Sequence, residues 1–405
     1  MIYIAILGFG TVGSGVEEVL RKNAAEISAH AGQDIAVKYI LDIRDFSATP
    51  YEKLCVHDFS VIENDPDVSI VVETIGGARA AYDFTKRSLL AGKHVVTSNK
   101  ELVAAHGAEL LEIAKERNIN YLFEASVGGG IPIIRPLTQC LTANRVLEIS
   151  GILNGTTNYI LTNMLKNGET FDAALRQAQQ LGYAEADPTA DVDGIDTCRK
   201  IAILSDLAFG REIRPDDIDT TGIRSVTLAD AKYAERAGCV IKLLGRAVVR
   251  NDGKLWVYVA PHLVARECIL SNVDDVFNAI RVTGDAVGDV VFYGRGAGKF
   301  PTASAVVADV IDAVKHMKTR RYLGWNGVEP GKVAALGDME SVFYVRSDCT
   351  VQEAAEVYGA VVMLSEKDDT ERAFLTAVMP TAKAYAAADA LRSRGIAVHS
   401  IFRKL

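Results

Sequence analysis

Lys200 is the residue around which a reaction can be built. It closes Leu181–Lys200, a stretch dense in carboxylates: Glu185, Asp187, Asp191, Asp193 and Asp196. Asp187-Pro188 favours a turn. Asp196 and Lys200 stand four apart, which on a helix places them on one face. On an anonymous helix such a pair is a solvated ion pair contributing only ~0.3 kcal/mol. Here the lysine sits among many acids and leads into an apolar run, Ile201, Ala202, Ile203 and Leu204. An ammonium in that setting can give a proton to a carbonyl oxygen while hydride adds to the carbon, and can stabilise the developing alkoxide. Asp196 can hold the lysine in place. A substrate that carries an ammonium needs an acid as well, and Glu185 or Asp191 can supply it.

Hydride chemistry needs a carrier, and the N-terminus offers a site for one. Gly8-Phe9-Gly10-Thr11-Val12-Gly13 is a G-x-G-x-x-G between the apolar strand Ile2–Leu7 and a helical pattern that begins at Val12. The first glycine permits a tight turn, the second lets a pyrophosphate approach, and the third allows close helix–strand packing. The helix N-terminus then faces the anion. The position, opening a βαβ run, is what the motif requires. The next strand ends Leu41-Asp42-Ile43-Arg44. An acid there accepts from an adenosine ribose and suits NAD, whereas an arginine suits the 2′-phosphate of NADP. The reading leans to Arg44 and NADP, with NAD left open.

The remaining elements must position these groups. Strand-like and helix-like segments alternate through the first 130 residues: Ile35–Leu41, Val68–Thr74, His94–Thr97 and Tyr121–Glu124 as strands, with Val12–Ala29, Tyr82–Ala91 and Glu101–Arg117 as helices. That rhythm predicts a parallel sheet covered on both faces. From about Ile131 the pattern becomes mixed. Strands are expected over Arg145–Leu153, Ala237–Val249, Leu255–Leu263 and Val276–Thr283, and helices over Thr157–Asn167, Thr170–Gly182, Gly194–Gly210 and Thr302–Met317. Residues 318–338 suit a linker, and 339–405 form a small αβ tail.

Of the 405 residues, 49% are hydrophobic and 24% charged, so a folded globular chain is expected rather than a disordered one. The net charge of −8 argues against sequence-independent nucleic-acid binding, which needs cationic contacts to phosphate. No apolar stretch is long enough to span a bilayer, and Met1–Leu7 lacks the features of a signal peptide. The six cysteines form no C-x-x-C, which fits free thiols in a reducing cytoplasm. The seven histidines show no metal-ligand spacing, so no transition metal is expected.

At Leu181–Lys200 the chain resembles the homoserine dehydrogenase family. The family pattern is filled at Ala178, Gly182, Asp187-Pro188, Asp191-Val192-Asp193-Gly194-Ile195-Asp196 and Lys200. Further blocks agree: residues 92–100 (GKHVVTSNK), 123–132 (FEASVGGGIP), 151–161 (GILNGTTNYIL) and 294–303 (GRGAGKFPTA). The resemblance covers roughly residues 1–320. It implies reversible NAD(P)-dependent reduction of L-aspartate 4-semialdehyde to L-homoserine, in the biosynthesis of threonine, methionine and isoleucine.

The implied roles follow position by position. Lys200 matches the catalytic lysine, with Asp196 beside it, and Glu185 matches the acid that binds the homoserine amino group. Lys100 matches the lysine at the nicotinamide–substrate junction. Gly8, Gly10, Thr11, Val12, Gly13, Ser98 and Gly298 fall in cofactor-contacting segments. Glu124, Val127, Gly129 and Ile131 match a monovalent-cation site, usually sodium, bound largely by backbone carbonyls. A lysine donor further implies that homoserine oxidation speeds up toward alkaline pH.

The expected fold is α/β: an N-terminal Rossmann-type parallel sheet over 1–131 completed by about 296–320, an α+β substrate-binding and dimerisation domain over 132–300, and a small C-terminal βαββαβ ACT-like domain over 339–405. The first strand–helix junction of that tail, Arg346-Ser347-Asp348-Cys349-Thr350-Val351, lacks the usual Asp-x-Pro-Gly-Val turn. The tail therefore reads as a degenerate ACT-like dimerisation element rather than an effector site for threonine. Relatives are dimers or tetramers, so a homodimer or homotetramer in the cytoplasm is expected, acting on a small molecule with no nucleic-acid or membrane partner. Two other readings are weaker. A semialdehyde dehydrogenase forming an acyl-enzyme needs an activated cysteine, and Cys140 and Cys198 have no base arranged beside them. A non-catalytic dinucleotide-dependent regulator has no use for the Asp196/Lys200 pair.

Overall fold

The computed structural model describes residues 1–325 and 333–405; residues 326–332, within the expected linker, lie outside the described residues. The chain opens with β1 (Ile2–Leu7), α1 (Thr11–Lys22), α2 (Ala24–Ala31), β2 (Ile35–Leu41), β3 (Cys55–Val56), α3 (Phe59–Glu63), β4 (Val68–Glu73), α4 (Arg79–Leu90), β5 (His94–Thr97), α5 (Lys100–Glu116) and β6 (Tyr121–Leu122). Next come β7 (Val146–Ile152), α6 (Gly155–Asn167), α7 (Phe171–Gln180), α8 (Thr189–Val192), α9 (Ile195–Phe209), β8 (Asp219–Thr220), α10 (Leu228–Arg236), β9 (Cys239–Val249), β10 (Leu255–Ala265), β11 (Phe277–Gly284), β12 (Gly288–Arg295) and α11 (Lys299–Lys315). The remainder holds β13 (Glu340–Ser341), β14 (Phe343–Ser347), α12 (Val351–Tyr358), β15 (Val361–Met363), β16 (Arg372–Thr376), β17 (Met379–Pro380), α13 (Thr381–Ser393) and β18 (Val398–Lys404).

Contacts divide the chain into two compact units. The first comprises Met1–Val146, Ala202–Pro215 and residues 283–325; the second comprises Leu147–Ile201, Asp216–Val282 and residues 333–405. In the first unit the six strands pair in the order β3-β2-β1-β4-β5-β6, all parallel. Strands β1, β4 and β5 are mostly buried, with Val/Ile/Leu-rich centres, as strands are when helices cover both faces. Strand order reverses between β1 and β4, and in such sheets a dinucleotide lies outside the carboxyl ends of the strands at that point. The helix expected over Val12–Ala29 is two helices, because Asn23 leaves the helical region (φ −111°, ψ 27°).

The second unit is built on a mixed sheet whose order runs β11-β7-β9-β10-β18-β14-β16-β15, with β8 also beside β10. The β9–β10 hairpin pairs eleven residues on each side, from Leu255↔Val249 to Ala265↔Cys239. Residues 343–404 run β14-α12-β15-β16-β17-α13-β18, the expected order with the two-residue β17 added before α13, and have a core of Phe343, Val345, Phe374, Ala384 and Leu391. Within this unit β18 also pairs in parallel with β10, placing Arg403 opposite His262 and Lys404 opposite Leu263. Helix α10 was not anticipated from the sequence. Thr227 and Asp230 start it with a reciprocal capping box.

Candidate active site

In the first unit the glycine turn has the geometry its spacing demands. Gly8 adopts φ +84°, and a Cβ there would lie 2.9 Å from the Thr74 carbonyl oxygen. A Cβ on Gly13 would stand 2.0 Å from the Gly8 oxygen, so only glycine fits. A Cβ on Gly10 would meet nothing within 4 Å. Helix α1 starts beside that open space with Thr11 and Val12, without a side-chain cap and without an acid in its first turn. Its first N–H groups and positive end are therefore left for an anion. These residues fit a dinucleotide pyrophosphate.

Asp42, just past β2, braces this turn. Its Oδ2 accepts from the Phe9 backbone N–H at 2.7 Å, and its carboxylate takes Arg44 through Nε (3.0 Å) and Nη2 (2.8 Å). The Arg44 guanidinium, with help from the two backbone donors, holds this carboxyl well below the usual range. Asp42 is thus committed to the turn and to Arg44, while Arg44 stays half exposed. On the other side of β1, Asn99 caps α5 by accepting from Glu101 and Leu102 (3.1 Å each), which fixes Lys100 as the first residue of that helix. Ser98 hangs its N–H on the Glu73 carbonyl (3.3 Å), and Gly298 precedes α11 with φ +125°.

Residues 124–131 turn on Gly128 (φ +75°) and Gly129 (φ +55°). The Glu124 carboxylate is fully used inside the protein. It accepts from the backbone N–H groups of Ile133 (2.7 Å), Ile134 (2.8 Å) and Arg135 (2.7 Å). What this turn can offer a ligand is therefore the main-chain carbonyls of Glu124, Val127, Gly129 and Ile131. A hard monovalent cation takes oxygen ligands of that kind, so the donor set fits sodium through the main chain, with the Glu124 side chain engaged elsewhere.

The second unit holds the acid–lysine constellation. Lys200 lies on α9, its side chain only 10% exposed. Its Nζ donates to Asp196 Oδ2 at 2.6 Å and to the Leu153 carbonyl at 2.8 Å. Leu153 follows β7, and Asn154 caps α6 by accepting from the Thr157 N–H (2.8 Å). The Asn154 amide nitrogen in turn donates to Asp191 Oδ1 (2.7 Å) and Asp196 Oδ2 (2.9 Å). One lysine, two carboxylates and one amide thus converge. Burial, reinforced by the charge of Asp196, pushes the Asp191 carboxyl above its ordinary range, and the Asn154 amide partly opposes this. Glu185 is exposed on the loop before α8, and its described contact is through its backbone carbonyl to Gln179 (3.0 Å), not to this cluster. The sequence reading had not singled out Asn154, although an Asn before Gly-Thr-Thr and an apolar run is a helix-cap signal. All six cysteines are free; Cys198 is buried and Cys140 is exposed.

Comparisons with known proteins show the family. Residues 8–124 match the family model described as "Homoserine dehydrogenase, NAD binding domain", and residues 132–311 match "Homoserine dehydrogenase". A homoserine dehydrogenase of Synechocystis sp. is 46% identical over 319 residues, covering 77% of this chain and 73% of that protein. The crystal structure of a homoserine dehydrogenase from Thiobacillus denitrificans is similar over 100% of this chain and 98% of its own, with a TM-score of 0.92 and 36% identity. A hyperthermophilic archaeal homoserine dehydrogenase in complex with NADPH covers 77% of this chain and 97% of its own (TM-score 0.66, 30% identity). The protein is an NAD(P)-dependent oxidoreductase acting on a CH–OH group. Two family models that together span residues 8–311, and relatives matched over most of both chains, place the chain in the homoserine dehydrogenase family, which interconverts L-aspartate 4-semialdehyde and L-homoserine.

Proposed function

We propose that Lys200 gives the proton to the aldehyde oxygen of L-aspartate 4-semialdehyde and takes it back from the hydroxyl of L-homoserine. Asp196 holds the lysine, and the Leu153 carbonyl fixes the direction of the Nζ. Asp191 and Glu185 take the substrate's ammonium group: Asp191 from within the cluster, Glu185 from the exposed loop. Lys100 stands at the nicotinamide–substrate junction. The observation that carries this reading is the Lys200 ammonium, nearly buried and bonded to Asp196 and Leu153. A cation held that way is pre-aimed, and it stabilises charge on an oxygen without reorganising during the reaction.

The cofactor we assign is NADP, bound by Gly8, Gly10, Thr11, Val12 and Gly13 at its pyrophosphate, by Arg44 at its 2′-phosphate, and by Ser98 and Gly298 elsewhere. When bound it supplies the hydride. Asp42 supports the preference for NADP, because its oxygens already serve Phe9 and Arg44 and are poorly placed to accept from ribose hydroxyls. Sodium is assigned to the carbonyls of Glu124, Val127, Gly129 and Ile131. The division of labour remains dinucleotide binding by 1–131 with about 296–320, substrate binding and dimerisation by 132–300, and an ACT-like element at 339–405. The enzyme is read as a cytoplasmic homodimer or homotetramer.

Replacing Lys200 with alanine tests the assignment. Homoserine-dependent reduction of NADP at the nicotinamide band is expected to fall about a thousandfold, within the range for loss of a general acid. NADPH binding followed by fluorescence should stay as in the parent protein. A variant keeping a tenth or more of the activity would remove Lys200 from the role.

A further inference from the structure

Glu73 ends β4 in the first unit and is completely buried. Its Oε1 accepts from the Ile75 backbone N–H at 2.6 Å, and its Oε2 accepts from the Thr97 hydroxyl at the end of β5. The Thr97 oxygen itself accepts from the Asn99 N–H at 2.9 Å. Asn99 closes the ring: its amide nitrogen donates to the carbonyls of Ile75 (3.0 Å) and Gly77 (2.7 Å) while its oxygen caps α5 ahead of Lys100. One buried carboxylate therefore ties together the Ile75–Gly77 lip and the start of the Lys100 helix. Gly76 and Gly77 are exposed, and a Cβ on either would meet nothing within 4 Å. This is the carboxyl edge of the β4–β5 half, where the second mononucleotide of a dinucleotide lies in a sheet of this order.

We propose that Glu73 is a positioning residue for the cofactor: by accepting from Ile75 and Thr97 it sets the lip and the Lys100 helix against which the nicotinamide half is held. The proposal rests on the reading of this face as the dinucleotide site. The Ile75 N–H can only donate to this carboxyl, whereas the Thr97 hydroxyl can also accept. A protonated carboxyl gives its own O–H to Thr97, which must turn its hydrogen elsewhere, and the charge-assisted bonds that hold the ring become weaker neutral ones. Burial pushes the Glu73 carboxyl up to about 7, against the pull of Thr97, Ile75 and Asn99. Protonation thus falls in the neutral range.

Few other charges bear on it. From β1 and β5 its register neighbours are Leu7 and Thr97, neither of which titrates in this range. From β6 the Tyr121 phenol faces it, kept neutral by burial and by the charge of Glu73. From α11, Asp309 is turned to Glu124 and Arg135, and from α4, Arg87 is turned to Glu63 and Asp83. Loosening of the ring on protonation predicts that the dinucleotide binds more weakly as pH falls from 8 to 6.

The test is direct binding of NADH and NADPH by fluorescence between pH 6 and 8, with no substrate present. NADH serves as the reference because it lacks a 2′-phosphate that titrates in the same range. For the parent protein the NADH dissociation constant should rise about tenfold across that window. Glu73→Gln, neutral at every pH, should sit at the weak value throughout. Thr97→Ser, which keeps the hydroxyl, should follow the parent, and Thr97→Val should bind weakly even at pH 8. A pH-independent NADH constant in the parent, or a Glu73→Gln protein that follows the parent profile, overturns the proposal. The parent titration decides even if a variant fails to fold. Loss of all dinucleotide binding by the parent would instead strike the cofactor reading itself.

Discussion

Asn154 and Asp196 are joined by a 2.9 Å hydrogen bond from the amide nitrogen of one to the carboxylate oxygen that also receives Lys200. The same nitrogen reaches Asp191 at 2.7 Å. Asn154→Asp separates the two duties of this residue. Aspartate is as good a helix cap as asparagine, so α6 should keep its start. A third carboxylate beside Asp191 and Asp196 removes the donor that holds them and adds repulsion. The expected outcome is an unchanged circular-dichroism spectrum with kcat lowered about a hundredfold, the lower end of what one preorganised donor contributes.

Asp191 gives the activity an acid limb. Its carboxyl is raised by burial and by Asp196, so it takes up a proton earlier as pH falls than an ordinary carboxylate does. Neutral Asp191 no longer attracts an ammonium, so kcat/KM for homoserine should decline on the acid side at a pH above the usual carboxylate range. Asp191→Asn should remove that limb and lower kcat/KM at every pH. Asp196→Asn, which removes the neighbouring charge, should move the limb to lower pH. A pH–rate profile of the three proteins checks all of this.

Gly10 and Gly13 have opposite tolerances. Alanine at Gly13 would place its Cβ 2.0 Å from the Gly8 oxygen, so the turn must open. That should cost about 3 kcal/mol by urea unfolding, the upper range for overpacking. Alanine at Gly10 meets no protein atom within 4 Å, and its φ of −69° suits any residue. The fold should keep its thermal midpoint while the cofactor KM rises at least about tenfold, or ~1.4 kcal/mol, because the methyl group occupies the anion's approach.

The C-terminal residues are fastened by a buried charge pair. Asp230 on α10 is wholly buried and takes Arg346 Nε at 2.8 Å; the Tyr344 hydroxyl donates to the same oxygen at 2.9 Å. Breaking a buried pair by removing one partner costs ~3–5 kcal/mol when the other charge is left uncompensated; Arg346 keeps Glu371 at 2.6 Å, which places this loss at the lower end. Asp230→Asn is expected to lower the unfolding free energy in urea by about 3 kcal/mol at constant slope. The loss should be larger than for Asp193→Asn, whose pair with Arg224 is solvent-exposed.

Legibility in the sequence follows the range of each interaction. The glycine spacing and the Asp196/Lys200 pair lie within single segments, and both have the local geometry their spacing implies. The parallel sheet was legible because β1, β4 and β5 carry short Val/Ile/Leu-rich centres that alternate with helical patterns. The double role of Asn154 was not, since its carboxylate partners lie 37 and 42 residues away and no local pattern reports such a pairing. Glu73 reads as a polar strand end until Ile75 and Thr97 are seen to point at it. Helix α10 was missed although Thr227 and Asp230 spell a cap, because Leu228–Arg236 is only nine residues long and its buried apolar positions are Ala231, Tyr233 and Ala234, none of them a large aliphatic side chain.

The parallel pairing of Arg403 with His262 has a temporal meaning. A chain is made from its N-terminus, so β10 is synthesised long before the strand that will lie along one of its edges. Until then the His262–Leu263 part of that edge, beyond the two residues that β8 pairs, is open to any other chain in the extended conformation, a setting in which aggregation competes with folding. Newly made protein should therefore depend on chaperones until β18 has emerged, and that strand acts as the seal that ends the exposure.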